Sequence, residues 1–143
     1  MTSAPNDSTG APRREWLLVV DDEAPICEFL TSGLESEILE AVSAPDATSA
    51  LRLLAARKTD PLMVVVDVLM PGGVDGLTLV RKLRDRLPRT KIVLMSGHLN
   101  VDSWWPVDLR DVSFLAKPFR TAQVAALVEA ARSEFRRDAR SGG

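Results

Sequence analysis

Two short apolar runs, WLLVV at residues 16–20 and LMVVV at 62–66, each stop at aspartate, the first at Asp21-Asp22 and the second at Asp67. An unbroken apolar run of this length is the pattern of a strand covered on both faces, as in a parallel sheet. Three more short runs, at 38–42, 91–95 and 112–116, are flanked by Gly, Pro, Asp or Ser and complete a set of five strands. Between the strands lie residues at helical spacing: Ile26, Phe29, Leu30 and Leu34; Ala47, Ala50, Leu51 and Leu54; Leu77, Val80, Leu83 and Leu87; Val124, Leu127, Val128, Ala131 and Phe135. Gly33 lies near the end of the first helix, Asp46 can cap the second, Asp75-Gly76 opens the third and Pro88 follows it as a stop. Strands alternating with helices predict βαβ units, hence an α/β fold with a parallel sheet and helices on both faces. The fourth connection, 97–111, departs from the rule. Pro106 follows Trp104 and Trp105 there, so a short or broken helix is expected.

A chain of 143 residues has room for one domain. Its 18 basic and 20 acidic residues leave a net charge of −2, which gives no reason to expect nucleic acid or a membrane as partner. The apolar runs fall far short of the roughly 20 residues a membrane-spanning helix needs. Residues 1–14, polar and rich in Pro and Gly, read as a disordered leader on a cytoplasmic protein, 15–137 as the folded domain and 138–143 as a flexible tail. Cys27, the single cysteine, reads as a small core residue, because no His or basic residue adjoins it to lower its pKa.

In an open parallel sheet, ligands bind beyond the carboxyl ends of the strands. The polar residues that close these strands should therefore share one site: Asp21 and Asp22 after strand 1, Asp67 after strand 3, Ser96 after strand 4 and Lys117 after strand 5. Three clustered carboxylates repel one another. A hard divalent cation such as Mg²⁺ relieves that repulsion, being held by one or two carboxylates while it keeps water and takes a phosphate oxygen. Phosphoryl transfer suits such a set: a carboxylate on the central strand attacks phosphorus, while the metal, Lys117 and the Ser96 hydroxyl share the phosphoryl charge.

The ordered segments Val19-Val20-Asp21-Asp22-Glu23, Asp67-Val68-Leu69-Met70-Pro71, Asp75-Gly76, Met95-Ser96-Gly97 and Phe114-Leu115-Ala116-Lys117-Pro118-Phe119 resemble the five signature segments of response-regulator receiver domains. The resemblance covers about residues 15–137. It implies a flavodoxin-like, doubly wound fold with five parallel strands in the order 2-1-3-4-5. It also implies that Asp67 is the phosphoacceptor, that Asp22 ligates Mg²⁺ directly and Asp21 mainly through water, and that the backbone carbonyl of Leu69 adds a ligand. Lys117 then pairs with Asp67 and later with its phosphoryl group, Ser96 moves onto a phosphoryl oxygen, and Phe114 occupies the aromatic switch position. The Lys117-Pro118 bond is cis in the family. Two departures stand out: one extra residue in Gly72-Gly73-Val74 before Asp75-Gly76, and Trp104-Trp105-Pro106 where the family more often has a regular helix.

His98, the only histidine, reads either as a gate over the site or as an exposed loop residue. Trp104 and Trp105 read either as part of a partner or dimer surface or as packing beneath the broken helix. The resemblance implies a phosphoacceptor response regulator that catalyses only its own phosphorylation and dephosphorylation. Its partners would be a sensor histidine kinase or phosphotransfer protein, a downstream protein and a second copy of the chain. The alternatives are a receiver fragment of a hybrid kinase or longer regulator, and an Mg²⁺-dependent phosphohydrolase with Asp67 as nucleophile. The chain is too short for the substrate-binding cap domain that the last of these needs.

Overall fold

The computed structural model describes residues 14–68, 76–97 and 106–142, with side chains as far as Arg137. Five strands, β1 (Glu15–Val20), β2 (Leu39–Ala44), β3 (Met63–Asp67), β4 (Lys91–Ser96) and β5 (Ser113–Ala116), form one sheet in the order β2-β1-β3-β4-β5. All four pairings are parallel. Among the described residues the helices are α1 (Ala24–Leu34), α2 (Ala47–Ala56), α3 (Gly76–Arg86) and α4 (Thr121–Gly142). Strand order reverses between β1 and β3, which puts the switch point between Asp21 and Asp67.

Side chains alternate across each strand, and so the sheet feeds two cores. Leu18, Val20, Val64, Val66 and Leu94 face α2 and α3, with Ala50, Leu79 and Leu83 against them. Leu17, Val19, Val65, Val93 and Met95 face α1 and α4, packing on Cys27, Leu30, Val124 and Val128. Burial on both faces explains the unbroken apolar runs. Asp46 caps α2 as expected, its carboxylate accepting from the Ser49 amide at 2.7 Å.

Three local expectations need correction. Phe29 is not part of the core; it is 49% exposed, and Cys27 takes the inward position on α1. β2 starts at Leu39 and runs to Ala44, leaving Ile38 60% exposed, and β5 starts at Ser113 rather than Val112. Finally, α4 continues to Gly142, into the stretch read as a tail. Gly33, by contrast, stands one residue before the end of α1, as the sequence suggests, and the helix ends where Glu35 turns to extended backbone.

In the fourth connection, the described part is a single 3₁₀ turn, Val107–Leu109, entered through Pro106. Proline suits that N-cap position, where its missing amide costs no helical hydrogen bond; the expectation of a broken helix falls mainly on residues 98–105, which lie outside the described residues. Leu109 is fully buried under it, whereas Val107 is 79% exposed. Arg81 and Arg84 of α3 hold the turn: Arg81 pairs with Asp108 at 2.8 Å and Arg84 with Asp111 at 2.8 Å. Arg84 also donates to the Asp108 carbonyl at 2.5 Å.

Candidate functional site

The carboxyl ends of the four strands that follow from β1 to β5 across the switch point bring their polar residues together. Asp21 follows β1 and extends its ladder, its amide donating to the Ala44 carbonyl at 3.1 Å. Asp67 closes β3 opposite Met95, and Ser96 closes β4 opposite Ala116. Lys117 follows β5 and donates its amide to the Ser96 carbonyl at 2.9 Å. Each functional side chain therefore stands on hydrogen-bonded backbone. Asp21, Asp67 and Ser96 are buried, whereas Asp22 is exposed.

Carboxylate oxygens of Asp21, Asp22 and Asp67 lie within 4.8 Å of one another. Lys117 answers them with one ammonium, whose Nζ donates to Asp21 Oδ2 at 3.0 Å, Glu23 Oε1 at 3.0 Å and Asp67 Oδ2 at 3.3 Å. Burial alone would lower the Lys117 pKa, but the hydrogen bonds to Glu23 and Asp21 and the charge of Asp67 outweigh it and drive the pKa well above its ordinary value. The ammonium thus keeps its charge throughout the neutral range. Asp21 is held from the other side by the Glu23 amide, which donates to Oδ1 at 2.8 Å. Cys27 lies behind this cluster with its Sγ 3.3 Å from the Asp21 carbonyl oxygen, and burial pushes its thiol pKa up, as expected of an inert core cysteine.

Two glycines make the arrangement possible. A Cβ on Gly76 would fall 2.1 Å from the Asp67 carbonyl oxygen, so only glycine lets α3 begin this close to the end of β3. A Cβ on Gly97 would press to 3.3 Å on that of Lys117, and its absence leaves room for the lysine stem. Around the charges opens a cleft of about 710 Å³. One side is polar, with Asp22, Glu23, Asp67, Ser96 and Lys117; the other is apolar, with Ile26, Phe29, Pro118 and Phe119. The Phe29 and Phe119 rings meet at 6.3 Å between centroids. The Lys117-Pro118 peptide is cis.

The carboxylates of Asp21, Asp22 and Asp67, set beside the Ser96 hydroxyl at the switch point of a parallel sheet, are oxygen donors that could hold a hard cation. Comparison with known proteins identifies the family. Residues 17–129 match the model of the response regulator receiver domain. The chain belongs to this family. The nitrogen assimilation regulatory protein NtrX of Azorhizobium caulinodans is 32% identical over 122 residues, which are 84% of this chain and 26% of that protein. The chain thus spans about a quarter of the length of this curated relative. The receiver domain of NtrX from Brucella abortus superposes with a TM-score of 0.70 at 32% identity, over 80% of this chain and 96% of that one. A CheY-like receiver domain protein from Methanospirillum hungatei shares the fold, with a TM-score of 0.76 at 19% identity over 88% of this chain and 99% of that one. Receiver domains of this family act in two-component signalling with histidine kinases or phosphotransfer proteins and are not enzymes in the usual sense.

Of the residues singled out from the sequence, this receiver brings Asp21, Asp22, Asp67, Ser96, Lys117 and Pro118 to one cleft. Phe114 stands apart from it. It pairs with Leu94, two residues before Ser96 on the same face of the sheet, and packs against the core that holds Leu109. Leu69, His98, Trp104, Trp105 and the loop with the extra residue lie outside the described residues. Sequence reasoning gave no role to Glu23, although the third acid of Asp21-Asp22-Glu23 was in plain view. The apolar wall was missed because helical spacing assigned Phe29 to the core. Among the described residues no helix is long and apolar enough to cross a membrane.

Proposed function

We propose that this receiver is a phosphoacceptor switch in which Asp67 takes a phosphoryl group from a histidine kinase or phosphotransfer protein. The observation that carries the reading is the single Lys117 ammonium shared between Asp21 and Asp67 at the mouth of a three-carboxylate cluster. In the transfer, Asp67 Oδ bonds to phosphorus as the bond from phosphorus to the donor nitrogen breaks, and the leaving imidazole keeps that electron pair and takes up a proton. Lys117 moves its hydrogen bond from the carboxylate to a phosphoryl oxygen, and Ser96 donates to another.

The donor set fits Mg²⁺, a hard cation with a preference for carboxylate oxygen. Asp22 would hold it directly, Asp67 and the Leu69 carbonyl beside it, and Asp21 mainly through water. When bound, Mg²⁺ neutralises acid charge so that an anionic donor can approach. The switched state leaves the site through Ser96. Its hydroxyl, drawn toward a phosphoryl oxygen, vacates space on the face that Phe114 shares, and the ring follows. That alters the surface around the 3₁₀ turn, β5 and α4, where a downstream protein or a second copy binds according to its differential affinity for the two states.

Intact-mass measurement with Mg²⁺ and a small phosphodonor tests the reading. The parent chain should gain one phosphoryl group and Asp67→Asn none; labelling of Asp67→Asn at the parent stoichiometry would remove the assignment. In a metal titration Asp22→Ala should weaken Mg²⁺ binding more than Asp21→Ala, and the reverse order would overturn the division between direct and water-mediated roles.

A further inference from the structure

Glu23 holds the N-cap position of α1, where a side-chain oxygen ordinarily accepts from the amide of the second or third helical residue. Here the helix has no use for it. The second helical residue is Pro25, which has no amide hydrogen, and the third, Ile26, already donates to the Glu23 backbone carbonyl at 3.0 Å. The Glu23 side chain makes no capping hydrogen bond; it accepts from Lys117 Nζ at 3.0 Å instead.

An ammonium has three hydrogens to donate. Lys117 spends them on Asp21, Glu23 and Asp67, and the contact with Asp67 is the longest at 3.3 Å against 3.0 Å for the other two. A phosphoryl oxygen at the site takes over the hydrogen bond that Asp67 gives up, and draws the ammonium closer or gains a second bond only as Asp21 or Glu23 lets go. The Asp21 side chain is fully buried, so leaving it without its cation carries a large desolvation cost. The Glu23 side chain is 58% exposed, and water takes over its solvation when it leaves.

We propose that Glu23 is a positioning residue that restrains Lys117: its carboxylate competes with Asp67 and with the incoming phosphoryl group for the ammonium, and so slows phosphorylation. This rests on the reading of Asp67 as phosphoacceptor. Removing the competitor leaves Lys117 to Asp21 and Asp67. Because Glu23 does not cap α1, Glu23→Gln should keep the parent thermal midpoint.

The test follows phosphorylation of the full chain with Mg²⁺ by intact mass, using singly charged phosphoramidate and doubly charged acetyl phosphate at high salt. Parent, Glu23→Gln, Glu23→Asp and the Asp67→Asn control are compared. Glu23→Gln should be phosphorylated up to about fivefold faster, the range that one exposed ion pair supports, and equally so with both donors. Glu23→Asp, one methylene too short for the contact, should behave like Glu23→Gln. In ¹⁵N-detected spectra without any donor, the Lys117 ammonium should exchange its hydrogens faster in both variants than in the parent. An unchanged or slower rate for Glu23→Gln, or an acceleration seen only with the doubly charged donor, overturns the proposal. So does Glu23→Asp behaving as the parent, since charge at the mouth would then suffice. A parent chain that takes no phosphoryl group on Asp67 refutes the phosphoacceptor reading itself.

Discussion

The strand-end cluster and the 3₁₀ turn at Val107–Leu109 are both fastened by ion pairs, but to different effect. In the cluster, the side chains of Lys117, Asp21 and Asp67 are 16%, 0% and 8% exposed. On the turn, Arg81 and Asp108 are 46% and 58% exposed, and Arg84 and Asp111 are 35% and 68%. Charges removed from water interact strongly with whatever remains, so the cluster must be balanced; exposed pairs contribute only about 0–1 kcal/mol each. The site is therefore built on rigid, strongly interacting groups, whereas the connection beside it is fastened lightly. That division suits the proposed switch, in which the chemistry would need fixed geometry and the output surface two arrangements of similar energy.

The largest expected effect breaks the floor of the site. Gly76→Ala places a methyl 2.1 Å from the Asp67 carbonyl oxygen and 2.8 Å from the Val68 Cα, and neither is a side chain that can swing aside. Moving α3 off β3 should cost about 3 kcal/mol, the upper end of overpacking penalties, read as a lower midpoint in urea unfolding. A parent-like midpoint would show that the start of α3 is not pinned to the end of β3.

Next in size, and opposite in sign, is the acid cluster. Asp67→Asn removes one of the three clustered carboxylates of Asp21, Asp22 and Asp67, and with it one of the three contacts of the Lys117 ammonium. Without metal it should raise stability by about 1 kcal/mol, because the repulsion lost exceeds the longest of the Lys117 contacts. Added Mg²⁺ should stabilise the parent more than the variant and close the gap. If Asp67→Asn is less stable without Mg²⁺, the cluster is balanced by Lys117 alone and its charges are no more strained than those of the turn.

The same contrast explains what could be read from the sequence. Strands β1 and β3 were legible because burial on both faces forces unbroken apolar runs, and parallel topology then places Asp21, Asp67, Ser96 and Lys117 together without knowledge of any loop. Phe29 was misplaced because its spacing from Leu30 and Leu34 fits a core stripe as well as it fits the wall of a cleft. The partnership of Glu23 with Lys117 was hidden because it spans 94 residues and depends on a cap that Pro25 makes unnecessary. The Arg81 and Arg84 contacts were hidden for a related reason: exposed arginines on a helix carry no sequence mark of the partner they will find.

The smallest effect concerns those arginines. Arg84→Ala removes an exposed ion pair and the hydrogen bond to the Asp108 carbonyl, and Arg81→Ala removes a second exposed pair. Global stability should fall by less than about 1 kcal/mol for either, and by less again at high salt, where exposed pairs are screened. The local consequence should be larger than the global one. The turn is closed by the Leu109 amide on the Pro106 carbonyl at 3.1 Å and the Val112 amide on the Leu109 carbonyl at 3.0 Å, and its one buried anchor is Leu109. With the clamp gone, those two amides should exchange with solvent faster, while the amides of Val65 and Leu94 in the central strands keep parent protection. Uniform loss of protection across the sheet would mean that the turn unfolds only together with the core, and the lightly fastened connection would be part of the rigid scaffold after all.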